Sequence, residues 1–247
     1  MSFKDAYQTL AALLEEHGES ENLQVAVNSR ALTSREAIGE PDRRDFPLLQ
    51  GKEVLIQAEI DGCAGQAFTS DPIPYEGAIK DLFKLDRQRP GHQALIVATL
   101  NALARKMGKT DRTIHCINNE PEECAAQISK NIFEKHGRCR VGIIGYQPAI
   151  LDSCSRQFGA EHVFITDLNP DNIGQTRYGV KVWDGASDTA RMIENVDVLL
   201  ITGTILANGT YESILPETGD KPYYFFGTTC AALAGINEVP RLCFKSR

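Results

Sequence analysis

The stretch Arg140-Val141-Gly142-Ile143-Ile144-Gly145-Tyr146-Gln147-Pro148 decides the fold of this chain. It places a short apolar run, a glycine turn and a proline suited to a helix's first turn side by side. That is the junction at which a buried strand hands over to a helix. The same texture extends in both directions. Downstream it predicts a helix at Pro148–Phe158, a strand at His162–Thr166, a helix at Ala186–Asn195, and strands at Val196–Ile201 and Tyr223–Phe226. Upstream it predicts a strand at Ile114–Ile117 and a helix from Pro121 to His136, opened by acidic residues that suit the positive end of a helix dipole. Near-continuous apolar strands alternating with helices indicate an α/β fold built on a doubly wound parallel sheet.

Ahead of residue 108 the texture differs. Phe3, Tyr7, Leu10, Leu13 and Leu14 recur at helical spacing in a run that ends at His17-Gly18. Leu23–Val27 and Glu53–Ile60 read as strands, with Asp61-Gly62 as a turn and Gly65–Thr69 as the returning hairpin partner. Helices are expected at Glu76–Leu85 and Gly91–Met107. Strands first and helices after suggest an α+β layer. The boundary falls near 108–120, which predicts units at 1–110 and 111–247.

Composition narrows the function classes. The chain has 247 residues, 42% hydrophobic and 24% charged, so it buries a core and is not disordered. Lys plus Arg is 26 against 33 for Asp plus Glu, a net charge of −7 with no basic run, which argues against a nucleic-acid partner. Met1-Ser2-Phe3-Lys4-Asp5 lacks a secretory pattern, and no apolar stretch approaches the ~18 residues of a membrane span. Seven cysteines without framework spacing fit a cytoplasmic chain with reduced, mostly buried thiols. His115 and Cys116, if on a strand, point to opposite faces and cannot share a metal. A homodimer is the expectation from how commonly soluble chains pair.

In a parallel sheet, ligands bind beyond the carboxyl ends of the strands, so the residues after each apolar run are the candidates. Gly145 opens a turn whose next fingerprint positions carry Gln147 and Ile150 instead of glycine, and Gln147 would crowd a pyrophosphate. NAD in its usual pose is therefore not expected. Asp167 lies 22 positions after Gly145, the spacing of a ribose-binding acid. Asn169 follows it, and Thr202, Gly203, Thr204 and Asn208, then Thr228 and Thr229, follow later strands. Each loop alone is adequately explained by turn and cap chemistry. Together they suggest a neutral, polar, shape-specific pocket. Arg35, Arg43 and Arg44 either clamp an anion or form local surface ion pairs. Asn101 interrupts an apolar helix, so it is either exposed or hydrogen-bonded at a junction. Cys230 opens a helix whose dipole would lower its pKa, though a thiol packed under the sheet is the plainer reading.

Ala31-Leu32-Thr33-Ser34-Arg35-Glu36-Ala37-Ile38-Gly39, Asp45 to Val54 and Gly65 to Thr69 form one signature. Gly142 to Pro148, Thr166 to Pro170, Thr202-Gly203-Thr204 and Asn208-Gly209-Thr210 continue it. Together they resemble the family named "putative heavy-metal chelation". The resemblance implies a Rossmann-like parallel sheet preceded by a domain shaped like the N-terminal domain of enolase. It also implies a site in the cleft between them, and a role in metal handling or anaerobic cofactor metabolism. It makes the loop around Arg35 and Glu36 the expected second wall of that cleft.

The leading expectation is a protein that binds a small polar ligand, or a divalent or heavy metal ion or its complex, between its two halves. Asp167, Asn169 and Asp171 suit a hard ion, whereas a soft one would need Cys230 or a histidine. The alternative is a transferase or lyase using a nucleotide-like cofactor such as S-adenosylmethionine, with Asp167 on the ribose. An assembly subunit is a third reading.

Overall fold

The computed structural model describes residues 3–16, 26–51 and 53–247. The N-terminal part comprises helix α1 (Ala6–Glu16), strand β1 (Ala26–Ala31), short helices α2 (Ser34–Ile38) and α3 (Pro47–Gln50), strands β2 (Val54–Ile60), β3 (Cys63–Thr69) and β4 (Tyr75–Ala78), then α4 (Ile79–Leu82) and α5 (Pro90–Lys106). Its four strands form an antiparallel sheet in the order β3-β2-β1-β4. The remainder alternates as α6 (Glu120–His136), β5 (Val141–Ile144), α7 (Pro148–Phe158), β6 (Val163–Asp167), β7 (Thr176–Arg177), β8 (Val180–Asp184), α8 (Thr189–Glu194), β9 (Val198–Thr202), α9 (Thr204–Asn208), α10 (Tyr211–Glu217), β10 (Tyr223–Phe226) and α11 (Ala231–Ile236). The second sheet runs β10-β9-β5-β6-β8-β7 and is parallel except at its β7 edge. The chain is a mixed α/β fold with one mostly parallel and one antiparallel sheet.

From β5 the chain winds outward through β6 to β8, then crosses back to β9 and β10 on the other side. The winding direction reverses between β5 and β9, which places a crevice at the carboxyl ends of those strands. Alternate residues serve opposite faces of the sheet. Leu199 and Ile201 of β9 join one apolar cluster, while Val198 and Leu200 join the other. Both clusters draw on the two sheets together. The first includes Ile56, Ala58 and Ile60 with Leu199 and Phe225, and the second includes Leu32, Phe46 and Leu55 with Ile143 and Ile165.

Helix α5 explains how the sheets share that core. Every residue from Ala94 to Ala104 is buried, as expected of a helix apolar all round. It contacts β2 and β3 on one side and α9 and α11 on the other. The approach to β3 is close because Gly65 has no side chain: a Cβ there would lie 2.2 Å from the Ala102 nitrogen. Asn101 sits at this junction, fully buried, and answers the question its polarity raised. Its Nδ2 donates to the carbonyls of Gln66, Thr228 and Thr229 at 3.0, 3.2 and 3.1 Å, and its Oδ1 accepts from Ala232 N at 2.9 Å.

Several expected elements differ. Of the Leu23–Val27 strand, residues 23–25 lie outside the described residues, as does the His17-Gly18 helix end; β1 is described from Ala26. The single helix expected at Glu76–Leu85 begins as β4, because Tyr75 to Ala78 pair with β1, and only Ile79–Leu82 are helical. Ile114–Ile117 is not a strand. Its backbone bonds go to separate partners, with Ile114 exchanging bonds with Arg247 and His115 N donating to Gln66 Oε1. Strand β8 went unread because it is a short run between Gly179 and Gly185. The helix expected from Ala186 starts later, at Thr189. Among the described residues, no helix is long and apolar enough to cross a membrane.

Candidate functional site

A cavity of about 590 Å³ opens at the carboxyl edge of the parallel sheet and is closed on its far side by the N-terminal part. Its floor is made by strand ends. Gly145 and Gln147 follow β5, Asp167 and Asn169 end β6, Thr202 to Thr204 end β9, and Gly227 and Thr229 follow β10, with Asn208 at the end of α9. A second lobe of about 540 Å³ shares Glu53, Phe68, Tyr146, Asp167, Asn169, Thr204 and Asn208 with the first. These volumes lie within the range typical of small-molecule sites.

The strand-end side chains are largely occupied in shaping the loops. Asp167 Oδ2 accepts from Tyr146 N at 2.7 Å, while Oδ1 accepts from Asn169 N at 2.8 Å and Asn172 Nδ2 at 3.1 Å. It therefore stitches the β5 turn to the β6 turn. Gln147 caps α7, its Oε1 accepting from Ile150 N at 2.7 Å. Gly145 has φ +92°, and a Cβ there would lie 2.5 Å from Thr202 Cγ2, so only glycine lets the β5 and β9 loops approach this closely. Thr202 and Thr204 share a hydroxyl–hydroxyl bond of 3.1 Å. Asn208 Oδ1 accepts from Thr210. Thr229 Oγ1 accepts from Phe68 N at 3.1 Å, tying the floor to β3.

Four other residues singled out in the sequence lie away from this cavity. Arg35 is exposed and pairs with Glu40 at 3.4 Å. Glu36 closes the capping box of α2 with Thr33 and accepts a bidentate bond from Arg30. Thr228 is fully buried at the Asn101 junction, and its hydroxyl has no partner among the described residues. Cys230 is buried with its thiol donating to the carbonyls of Gly227 and Phe226. Burial pushes that thiol up to about 12, the reverse of the lowering expected from a helix dipole. Helix α11 is short, and desolvation outweighs its field.

The far wall is formed by residues the sequence did not single out as ligands. Phe46, Pro47 and Leu48 of the α3 segment, Phe68 of β3, and Glu53 just before β2 line it. So do His115 and Cys116, which both face the cavity because their segment is not a strand. Cys124 of α6 and Cys243 complete this side. Only the assembled fold places these distant positions together.

Glu53 is the most informative of them. It is half-buried and lines both cavity lobes, and it makes no hydrogen bond or ion pair with the described residues. Burial, and then the nearby Asp167 charge, raise its carboxyl to about 7. A carboxyl raised in the folded state stabilises fully below its unfolded value of 4.5 and loses that contribution as pH rises through about 7. Glu53→Gln is therefore expected to be more stable than the parent above pH ~8, by about 2–3 kcal/mol, with the difference vanishing near pH ~4. Urea unfolding at a series of pH values checks this; equal stabilities throughout would contradict it.

His115 is held neutral. Burial lowers it to about 4, against the opposing bond with the Ala37 carbonyl 3.1 Å from Nδ1. That bond requires the proton on Nδ1, so Nε2 carries a free lone pair. Phe68 meets the ring edge-on at 5.3 Å and fixes its orientation. Among the described lining residues there is no lysine or arginine. The cavity thus presents carboxylates, hydroxyls and a neutral imidazole, and it favours a ligand bearing positive charge.

The family described as "Putative heavy-metal chelation" matches residues 128–236. Among proteins of curated function, none matches the sequence significantly. A crystal structure of a protein of unknown function from Pyrococcus horikoshii, of the same family, has a TM-score of 0.53 at 12% identity, covering 90% of this chain and 79% of that one. Another of the same family and of unknown function, from Desulfitobacterium hafniense, has a TM-score of 0.53 at 10% identity, covering 74% of this chain and 72% of that one. At these identities the likeness is one of fold. The matched segment runs from within α6 to the end of α11 and carries the whole carboxyl edge on which the cavity is built. By that match, residues 128–236 of this chain are similar to the "Putative heavy-metal chelation" family.

Proposed function

We propose that the chain binds a small polar ligand carrying a positive charge, or a metal ion in complex, in the cavity between its two sheets. The observation that carries this reading is Glu53: a carboxyl without a partner among the described residues, lining the cavity near Asp167, with no basic lining residue among those described. A cation brought there gives Glu53 an opposite charge to offset its burial and the Asp167 charge, and draws it toward its ordinary pKa. A role in heavy-metal chelation or anaerobic cofactor metabolism, in the cytoplasm, is the biological setting that the family resemblance implies. We further propose that residues 1–110 and 111–247 are the two units, the first like the N-terminal domain of enolase. The antiparallel sheet with its covering helices supports that division.

A cofactor-using enzyme is the second reading, favoured by the position of the cavity at the switch between β5 and β9. S-adenosylmethionine would bring its sulfonium cation toward Glu53. Asp167 is a weaker ribose acceptor than its spacing suggests, because three donors already hold its oxygens.

Thermal shift against first-row divalent ions, S-adenosylmethionine, NAD and nucleotides tests both readings. A true ligand at 100 times its Kd stabilises by about 2.7 kcal/mol. The shift is expected to shrink in Glu53→Gln. Silence toward every compound in the set would overturn the proposal.

A further inference from the structure

The two lobes of the cavity differ in chemistry. The first reaches α6, where Ile38, Leu48, Pro121, Ala125, Ile128 and Leu242 line it and are all buried. Thr69, Ser70, Pro170, Asp171 and Asn172 line the second lobe and not the first. Ser70, Pro170 and Asp171 are exposed, so the second lobe is polar and opens to solvent. Glu53, Phe68, Tyr146 and Asp167 line both lobes and therefore stand where the two meet. Two rings and two carboxyl groups share this waist. Bonds elsewhere hold its parts in place. Phe68 N donates to Thr229 Oγ1 at 3.1 Å, and the Phe68 ring packs against His115 with centroids 5.3 Å apart. Tyr146 N donates to Asp167 Oδ2 at 2.7 Å. Among the described residues, no lysine or arginine lines either lobe.

We propose that this cavity takes an organic cation with an apolar body: an amine or quaternary ammonium centre at the waist, and an aliphatic or aromatic group of ring size in the first lobe. The charge selects the first feature. A cation at the waist meets the carboxyl groups of Glu53 and Asp167 at once, and an aromatic ring attracts a cation placed over its face. A neutral or anionic ligand with the same body would leave Glu53 uncompensated. The buried wall selects the second feature. Apolar surface taken from water stabilises in proportion to its area, so the wall around Ile38, Ile128 and Leu242 favours a ligand that brings apolar surface of its own. A small, strongly hydrated inorganic ion would leave that lobe unfilled. The solvent-facing second lobe then accepts whatever polar group the ligand carries beyond its charged centre.

This inference rests on the reading that the cavity takes cationic ligands, and it narrows that reading to one ligand class. The test is calorimetric titration of the full chain with four probes: phenylbutylammonium, phenylbutanol, phenylbutyrate and tetramethylammonium. The first is expected to bind at least about tenfold more tightly than the alcohol or the carboxylate, which share its body. It should also bind at least about tenfold more tightly than tetramethylammonium, which has the charge without the body. In Glu53→Gln the preference for ammonium over alcohol should fall severalfold. Isoleucine-methyl NMR locates the body: the phenyl ring should shift the Ile38 and Ile128 methyls and leave Ile96, which is buried in α5 away from the cavity, unmoved. Tetramethylammonium or a first-row divalent ion binding while phenylbutylammonium gains nothing would overturn this inference and leave the cationic reading standing. Phenylbutyrate binding as tightly as phenylbutylammonium would overturn both. Tight binding of phenylbutylammonium with the Ile38 and Ile128 methyls unmoved, or with its charge preference intact in Glu53→Gln, would overturn the placement proposed.

Discussion

Asn101→Leu is expected to lower the unfolding free energy by about 3–4 kcal/mol, although leucine matches asparagine in size and suits a helix better. The side chain is buried completely and makes four bonds to main-chain groups, one on β3 and three around the start of α11. Thr228's carbonyl keeps a second donor in Ala231 N, so it suffers least. The Ala232 amide loses its only bond among the described residues. Each buried group left unpaired costs about 1–3 kcal/mol, which sets the magnitude. Thr99, two residues earlier on the same helix, supplies the control. It too is fully buried, but its hydroxyl has no partner among the described residues. Thr99→Val is therefore expected to be neutral or stabilising. Chemical denaturation of both variants separates a bond-dependent effect from mere intolerance of substitution in α5. Equal losses in the two would refute the account.

Arg43→Met is expected to cost about 3 kcal/mol and to loosen the far wall of the cavity. The guanidinium is 15% exposed and gathers Glu122 of α6, Asp152 of α7, Asp45 and the Tyr178 hydroxyl. Tyr178 in turn donates to Asp45. Removing this cation leaves Glu122 and Asp45 without the guanidinium that holds them and Asp152 with the more exposed Arg156 at 3.3 Å, and breaking such a cluster from one side is costlier than never building it. Replacing Glu122 and Asp152 with their amides in the same chain should recover a good part of the loss. The functional consequence follows from position: Arg43 pins the segment that carries Phe46, Pro47 and Leu48 into the cavity wall. Ligand affinity should fall along with stability. A variant as stable as the parent, with unchanged ligand shifts, would contradict both parts.

These two residues show what was legible beforehand. Asn101 stood out because a lone amide inside an apolar helix must find partners, and local pattern reveals that much. Arg43 stood among mixed charges and was read as either an anion clamp or a surface pair. Apart from Asp45, its partners lie 79 to 135 positions away in the chain, so periodicity cannot find them. The parallel sheet was readable from Val141 to Pro148 outward because strand, turn and helix leave local signatures. The same locality put Gly145, Asp167, Thr202 and Asn208 at strand ends, where the cavity floor lies. Glu53, His115, Cys124 and Cys243 had no such signature. Glu53 reads as strand flank, His115 as a strand residue, and the cysteines as apolar filler. Arg35 and Glu36 attracted notice as polar residues in a shared signature, yet Glu36 is fully explained by capping its own helix.

The central position of α5 bears on how the chain acquires its fold during synthesis. Residues 90–106 leave the ribosome well before α9 and α11, yet both surfaces of that helix are apolar. Until the later segments arrive, one greasy flank of α5 faces water. Nascent chains halted between α5 and α9 are therefore expected to recruit holding chaperones and to yield to protease near α5. Chains extended past α11 would lose both susceptibilities together, in a single late step.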